Sequence, residues 1–210
     1  MDQPSHLPVV LGTSNSEKLR ELSLLLSGLP LKLLPGRDLE LGPAPYENGT
    51  THHENASLKA QHWSEKGDGL AIASDGGLVI PSMFGKWSSL YTNRTFIQLE
   101  PRERQCALLE LLDQYQISDR SAFWLEAVSV ALKGNVMATW IARSSGGEIA
   151  VRVDEQIAPS EFWVKGIWNS SGFGKVPRSP ETEERDMSPD HWLVLYSQVQ
   201  RFFKHYVWKA

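Results

Sequence analysis

Two acids and two lysines, far apart in the chain, are the residues of this sequence best suited to chemistry. Glu47 and Asp75 are carboxylates on separate segments, and such a pair can share a hard cation such as Mg²⁺, which prefers oxygen ligands. Lys18 and Lys59 can neutralise a polyphosphate held by that ion. Taken singly, each residue is better explained as a solvated acid or a surface lysine, so only their combination favours this chemistry.

The stretch Gly12–Lys18 is predicted to be a strand-to-helix turn. Leu7–Leu11 before it is an apolar run too short for a helix, and leucines at helical spacing follow it. Ser14 and Glu17 have the form of a capping box that begins the helix. Backbone N–H groups and the positive end of a helix dipole then suit a phosphate, although the stretch by itself favours an ordinary capped helix with an exposed lysine. The turn adds neutral and cationic donors: Thr13, Asn15 and Lys18.

A second capping box, Thr51 with Glu54, predicts a helix that ends near Lys66. One polar face of this helix carries residues at spacings of four and three: Asn55, Lys59 and His62. Leu70–Ala73 then predicts a buried strand that ends at the next four residues, so that Asp75 would lie at its carboxyl edge. Open α/β sheets bind ligands at that edge.

The second half of the chain has a different pattern. Ser121–Leu132 and Asn135–Arg143 are β-rich runs that predict a long antiparallel hairpin, and Ile149–Val153 predicts one more strand. Helices are predicted from Pro101 to Tyr115 and after Ser188-Pro189. The alternation of strands and helices, followed by a hairpin, predicts an α/β fold with a mixed sheet.

Composition limits the classes of protein and partner. A chain of 210 residues suits one domain, residues 1–210, built in two lobes. The net charge of −4 and the pI near 5.9 argue against a nucleic-acid polymer as partner. The single cysteine, Cys106, excludes an internal disulfide. Without an apolar run of membrane length or a signal-peptide pattern, we expect a cytoplasmic protein with no membrane partner.

Four segments, in this order, resemble the signatures of one family. Thr13–Lys18 fits the pattern Thr-x-Asn-x-x-Lys. Glu47–Ala60 is similar to a longer pattern, in which an acidic residue near Gly-x-Thr is followed by Glu-Asn-Ala and then by Lys-Ala. Ala73–Leu78 resembles Asp-Asp-Ser-Gly-Leu, and Arg120–Phe123 resembles Arg-x-Ala-x-Phe. Up to about residue 150 the order and spacing resemble those of the inosine triphosphate pyrophosphatases, which hydrolyse non-standard purine nucleoside triphosphates.

The resemblance implies an α/β, ITPase-like fold: a long curved mixed β-sheet with flanking helices, and two lobes around a central cleft. It also implies a homodimer and Mg²⁺-dependent attack of water on the α-phosphorus of a nucleoside triphosphate, which releases the monophosphate and pyrophosphate. Glu47 and Asp75 would bind the metal, and Asp75 would orient or deprotonate the water. The catalytic residues would be Asp75, Glu47 and Lys18. The residues that hold the phosphates would be Thr13, Asn15, Lys18 and Lys59, and Asn55 would also bind the substrate.

The departures from the family pattern concern one acid and the base-binding end. Ser74 stands where the family has the first Asp of its acidic pair, and Gly76 where it has Ser. Residues 172–177 and 184–191 stand where the family has two segments that recognise the base, and both differ from the family pattern. Partial substitutes in contact with the base would be Phe173, Arg185 and His191. The residues expected to bind the phosphates are therefore retained, whereas the selectivity for the base is expected to be altered.

One alternative remains beside this interpretation, and two weaker ones are disfavoured. The loss of an acid at Ser74 favours a catalytically degenerate relative that binds a nucleotide or a protein without turnover. A nucleophile elbow at Ser14 would need a glycine where Ser16 stands and several strands before it, but only about ten residues precede this turn. His52-His53 suggests a metal site, but adjacent helical residues lie on different sides of the helix and chelate poorly.

Overall fold

The computed structural model describes residues 6–170 and 190–207, which fall into two compact units. Of these residues, the first unit takes 6–75, 126–142 and 190–207, and the second takes 76–125 and 143–170. The elements are, in chain order, β1 (Leu7–Leu11), α1 (Ser16–Leu25), β2 (Leu31–Pro35), α2 (His52–Lys66), β3 (Leu70–Val79), α3 (Pro101–Gln114), β4 (Ser121–Leu132), β5 (Asn135–Arg143), β6 (Gly147–Ile149), β7 (Trp168–Ser170) and α4 (Asp190–Val207).

The strands combine parallel and antiparallel pairs. β1 pairs in parallel with β2 and with β3, in a register that sets Val9 opposite both Leu33 and Leu70. β6 pairs antiparallel with β4 and with β7. The strand order is β2-β1-β3-β4-β6-β7, and β5 pairs with β4. This confirms the predicted α/β class with a mixed sheet, and both strands of the predicted hairpin have the predicted bounds.

The core of the first unit lies between the sheet and helices α1 and α4. Leucines of α1 at helical spacing, such as Leu22 and Leu25, pack with Val199 and Phe203 of α4 in one buried cluster. Gln200 on α4 donates hydrogen bonds to the carbonyls of Leu25 and Ser27, at 2.8 and 3.0 Å. Leu25 is the last residue of α1, where helix carbonyls lack partners, and Ser27 lies just beyond it, so the bonds stabilise the contact between α4 and the end of α1.

The core of the second unit forms around α3. Pro101 is at the first position of this helix, and the side chains of Glu100 and Glu103 form a capping box. The inner face of α3, with Leu108 and Leu112, packs with Trp163 of the short turn Trp163–Ile167. The predicted start of this helix is therefore confirmed.

Three local predictions were wrong. The N-cap of α1 is Asn15 rather than Ser14, because the Asn15 side chain accepts the N–H of Lys18. β3 continues to Val79, so Asp75 lies inside the strand and not at its end. Within this continuation, glycine at position 77 leaves room for a neighbouring backbone, since a Cβ there would lie 2.0 Å from the Ser89 carbonyl oxygen. The predicted strand 149–153 is instead β6, which ends at Ile149.

In the part of the chain that the structure describes, no helix is long and apolar enough to cross a lipid bilayer.

Candidate active site

Lys59 joins the two predicted acids within the first unit. Its Nζ lies 2.8 Å from Asp75 Oδ1 and 3.4 Å from Glu47 Oε1. The lysine comes from α2, Asp75 from β3, and Glu47 from the loop before α2. Because one ammonium group contacts both carboxylates, the two acids face the same small volume.

The loop that carries Glu47 is bound to the first turn of α2. Asn55 Oδ1 accepts the N–H of Gly49 at 2.8 Å, and the Glu54 carboxylate accepts the N–H and hydroxyl of Thr50 at 2.6 and 2.8 Å. Position 49 requires glycine, because a Cβ there would lie 2.6 Å from Asn55 Oδ1. The hydrogen bonds from Thr50 lower the pKa of Glu54. Asn55 therefore holds the segment of chain next to Glu47.

Asp75 is buried and uses both carboxylate oxygens. Its Oδ2 lies 2.6 Å from His52 Nδ1, while Oδ1 contacts Lys59. Burial by itself would raise the pKa of Asp75, but the hydrogen bond from His52 and the charges of Lys59 and Lys18 outweigh it and lower this pKa well below the ordinary range. Asp75 is thus ionised at neutral pH. An ionised carboxylate only accepts hydrogen bonds, so His52 Nδ1 carries the hydrogen.

Lys18 pairs with an acid that the sequence analysis did not predict. Its Nζ lies 3.0 Å from Oε1 of Glu126, whose side chain is 4% exposed. Burial lowers the pKa of Lys18, but the charges of Glu126, Asp75 and Glu47 outweigh it and raise this pKa. Lys18 is therefore charged. We call these six residues the charge cluster: Lys18, Glu47, His52, Lys59, Asp75 and Glu126.

The turn before α1 is shaped by its own side chains. Asn15 Oδ1 accepts the N–H of Lys18 at 2.9 Å, and the N–H of Asn15 donates to Thr13 Oγ1 at 3.2 Å. These bonds begin α1 at Ser16 and place Lys18 in its first turn. The turn therefore brings Lys18 to the cluster, whereas ligand contacts by Thr13 and Asn15 stay predictions.

The residues predicted for the base-binding end have a different outcome. Phe173 and Arg185 lie outside the described residues. His191 lies on α4, buried, with its ring centroid 6.0 Å from that of Trp192. Contact of His191 with a base stays a prediction.

Sequence reasoning missed His52 and Glu126, although each left a signal. Glu126 is the only charged residue of β4, which otherwise consists of apolar residues and two serines. A lone charge in a buried strand needs a partner of opposite charge or a hydrogen-bond partner. His52 follows the helix cap Thr51 directly, and in the sequence it stands out only as half of the pair His52-His53.

The position of the lost acid is buried. Ser74 is fully buried, and within the described residues its Oγ has no hydrogen-bond partner. Successive residues of a strand lie on opposite faces, so Ser74 and Asp75 lie on different faces of β3. Across residues 6–170 and 190–207, no three His, Cys, Asp or Glu side chains are grouped closely enough to hold a metal ion.

Comparison with known proteins places the chain in a family. Residues 9–156 match the model of the Ham1 family. The dITP/XTP pyrophosphatase of Coxiella burnetii is 35% identical over 119 residues, which are 55% of this chain and 58% of that protein. The enzyme of the same name from Legionella pneumophila (strain Lens) is 32% identical over 122 residues, or 58% and 61% of the two chains. The matches thus span about three fifths of these relatives' length.

Solved structures extend the likeness to nearly the whole fold. A HAM1 protein from Coxiella burnetii aligns with a TM-score of 0.73 and 26% identity, and covers 95% of this chain and 99% of that one. The Staphylococcus aureus Ham1 protein aligns with a TM-score of 0.70 over 94% and 98% of the two chains, and its 19% identity shows the fold alone. The family match covers all four motifs, from the turn before α1 to the start of β4, and the chain therefore belongs to the Ham1 family, which is ITPase-like.

Proposed function

We propose that this protein is a nucleoside triphosphate pyrophosphohydrolase, which converts a triphosphate and water into the monophosphate and pyrophosphate. The observation that carries the proposal is the convergence of Lys59, Asp75 and Glu47, from three separate segments, on contacts of 2.8 and 3.4 Å. Membership of the Ham1 family, with relatives named dITP/XTP pyrophosphatase, supports it.

The two lysines would bind the phosphates. Lys18 and Lys59 both lie against carboxylates inside the fold, where a fixed ammonium acts on a phosphate more strongly than it would in water. Lys18 also lies in the first turn of α1, whose N-terminal N–H groups and dipole favour the same anion. Stabilisation would grow as negative charge develops on the leaving pyrophosphate.

Asp75 would orient the attacking water. A general base is most effective when its pKa lies near the working pH. The pKa of Asp75 is lowered far from neutral pH, so this carboxylate accepts a hydrogen bond from water well but removes a proton poorly. Of the two roles predicted for Asp75, orientation of the water is therefore the better supported.

Glu47 and Asp75 would hold a divalent ion, for which we propose Mg²⁺. The two carboxylates fit such an ion because both already contact one cation, the Lys59 ammonium. Mg²⁺ is commonly held by one or two carboxylates together with substrate phosphates. The ion would supply Lewis-acid neutralisation of the phosphate charge. With Lys59 engaged by the phosphates, both carboxylates would be available to the ion.

The finer properties are also proposals. Divergence of 172–177 and 184–191 supports base selectivity that differs from that of the relatives. We further propose a homodimer that covers the exposed aromatic side chains Phe84 and Tyr91 of the second unit. Light scattering after gel filtration would measure the mass, and a monomer at all concentrations would contradict the dimer.

The test is pyrophosphate release from a panel of standard, deaminated and oxidised nucleoside triphosphates, with Mg²⁺ and with a chelator. We expect turnover of at least one triphosphate, loss of turnover on chelation, and a fall on the order of 10³-fold in Asp75→Asn. Asp68→Asn is the matched control: Asp68 is exposed and has a φ of 45°, which asparagine tolerates. Inactivity toward the whole panel would contradict the proposal.

One observation favours a second candidate, a degenerate relative that binds a nucleotide without turnover. Ser74 supplies no carboxylate, and its buried hydroxyl lies on the face of β3 opposite to Asp75. In that case calorimetry would show tight binding of a triphosphate, with no product after long incubation. Turnover that a chelator abolishes would exclude this candidate.

A further inference from the structure

We propose that His52 is a positioning residue of this site, which holds the Asp75 carboxylate so that one oxygen faces Lys59 and Glu47. The inference rests on the proposed function and deepens it. His52 is the first residue of α2, directly after the cap Thr51, and is 4% exposed. Its Nδ1 lies 2.6 Å from Asp75 Oδ2. A hydrogen bond to a buried, ionised carboxylate is among the stronger kinds.

The hydrogen bond from His52 can fix the orientation of the Asp75 carboxylate. The terminal torsion of an aspartate side chain is broad and roughly two-fold, so covalent structure alone does not decide where each oxygen lies. In this site the two oxygens have different partners: Oδ2 contacts His52, and Oδ1 contacts Lys59 at 2.8 Å. The donor at His52 therefore fixes which oxygen faces the second carboxylate.

Ser74, the residue before Asp75 on β3, cannot orient the Asp75 carboxylate in place of His52. Ser74 lies on the opposite face of β3, and its buried Oγ has no hydrogen-bond partner within the described residues. Lys59 does contact Asp75, but in the proposed reaction the phosphates draw this lysine away. His52 would then be the partner that keeps the carboxylate oriented during the reaction.

Metal sites in other proteins indicate how large the effect of losing the His52 hydrogen bond should be. Groups that hydrogen-bond a metal-ligating side chain fix its orientation, and their removal lowers metal affinity or activity about 10–100-fold. The neighbouring His53 is exposed on the same helix and provides the matched control. The comparison is therefore between two adjacent histidines, one bound to Asp75 and one not.

The experiment measures Mn²⁺ binding by the paramagnetic resonance of the free ion, with and without a non-hydrolysable nucleoside triphosphate. His52→Phe keeps a ring but removes the donor, and we expect about 10–100-fold weaker Mn²⁺ binding. We expect a similar fall in kcat for pyrophosphate release, with little change in KM. His52→Asn, whose amide can replace Nδ1–H, should stay within about threefold of the wild type, as should His53→Asn.

Several outcomes would overturn the inference. A folded His52→Phe with wild-type metal affinity and kcat would do so, as would a folded His52→Asn that is as impaired as His52→Phe. Absence of Mn²⁺ binding by the wild type, with and without the nucleotide, would also overturn it. If His52→Phe does not fold, nitrogen-15 NMR of the wild type decides: Nδ1 must be protonated, and a bare Nδ1 would reject the inference.

The same measurements separate this inference from the proposed function. A wild type that binds Mn²⁺ but releases no pyrophosphate would contradict the function, while the metal affinities of the variants would still judge the role of His52. A wild type that turns over, with His52→Phe unchanged in both readouts, would contradict only the role of His52.

Discussion

The described part of the first unit buries five ionisable side chains, whereas that of the second buries only neutral polar ones. The second unit's buried polar residues bond to backbone groups. Thr92 accepts the N–H of Leu78, and Gln105 donates to the carbonyl of Trp163. In the second unit, buried polar groups therefore serve the fold by satisfying its backbone. The ionisable residues of the first unit are Glu21, His52, Asp75, Glu126 and His191.

In the first unit, by contrast, buried ionisable side chains pair with other ionisable side chains. Asp75 bonds to His52 and Lys59, and Glu126 bonds to Lys18. Burying an ion pair costs much of what its attraction returns, so such pairs are weak evidence for stability. Groups with strongly shifted pKa values concentrate at functional sites. Under the proposed function, the buried charges of the first unit are retained for chemistry, whereas the second unit does not need any.

The largest expected effect is on catalysis, from Lys59→Met. We expect pyrophosphate release to fall about 10²–10³-fold, because one fixed charge on the phosphates is lost. Mn²⁺ binding without nucleotide should become tighter, since the cation between Asp75 and Glu47 is gone. Lys66→Met, exposed on the same helix, is the control. Unchanged turnover in Lys59→Met would contradict the proposal that the charge cluster serves catalysis.

A smaller effect is expected on stability from Lys18→Met. This change leaves the 4% exposed Glu126 carboxylate without its cation and should cost about 3 kcal/mol in the free energy of unfolding. The double variant Lys18→Met with Glu126→Leu removes both charges and should recover most of that loss. Urea unfolding of the wild type, both single variants and the double variant measures the coupling. Equal stability of all four proteins would contradict a buried pair.

In the second unit the expected effect is on the fold alone. Gln105→Ala leaves the buried Trp163 carbonyl without its donor and should cost about 1–3 kcal/mol. Pyrophosphate release per folded molecule should equal that of the wild type. A selective loss of turnover at full stability would mean that the contrast between the units is wrong.

The smallest effect concerns acid stability. Because the pKa of Asp75 is lower in the folded chain than in the unfolded chain, the unfolded chain binds more protons in acid. The resulting stability is present above the unfolded pKa near 3.9 and is lost as the pH falls toward the folded pKa. From pH 5 to 3, the wild type should lose about 1 kcal/mol more than Asp75→Asn. Parallel unfolding curves for the two proteins would contradict this linkage.

Much of the local structure was predictable because short-range patterns determine it. The turn before α1, the helix begun by Thr51 and the hairpin of β4 and β5 follow from hydrophobic periodicity, capping and turn residues. Of the charge cluster, Lys18, Glu47, Lys59 and Asp75 were predictable from residue type, spacing and resemblance. Lys59 contacts both Glu47 and Asp75, so these three side chains lie together, while their roles stay predictions.

Predictions failed where a distant partner decides the local structure. Asp75 lies inside β3 because the strand continues through glycines, and position 77 meets the backbone of Ser89. β6 and β7 are three residues each and are defined by pairing with each other and with β4. Such short strands have too few residues to show a period of their own.

The helices, the long strands and the types of residue available for chemistry follow from the amino-acid sequence alone, since these depend on neighbours within a few positions. The pairing of Glu126 with Lys18 and the contact of His52 with Asp75 depend on the three-dimensional fold and could not be predicted from short stretches of sequence. A buried charge must find a partner because desolvation is costly, but the partner is any group that the fold brings within about 3 Å. Residues separated by 108 and 23 positions meet for that reason.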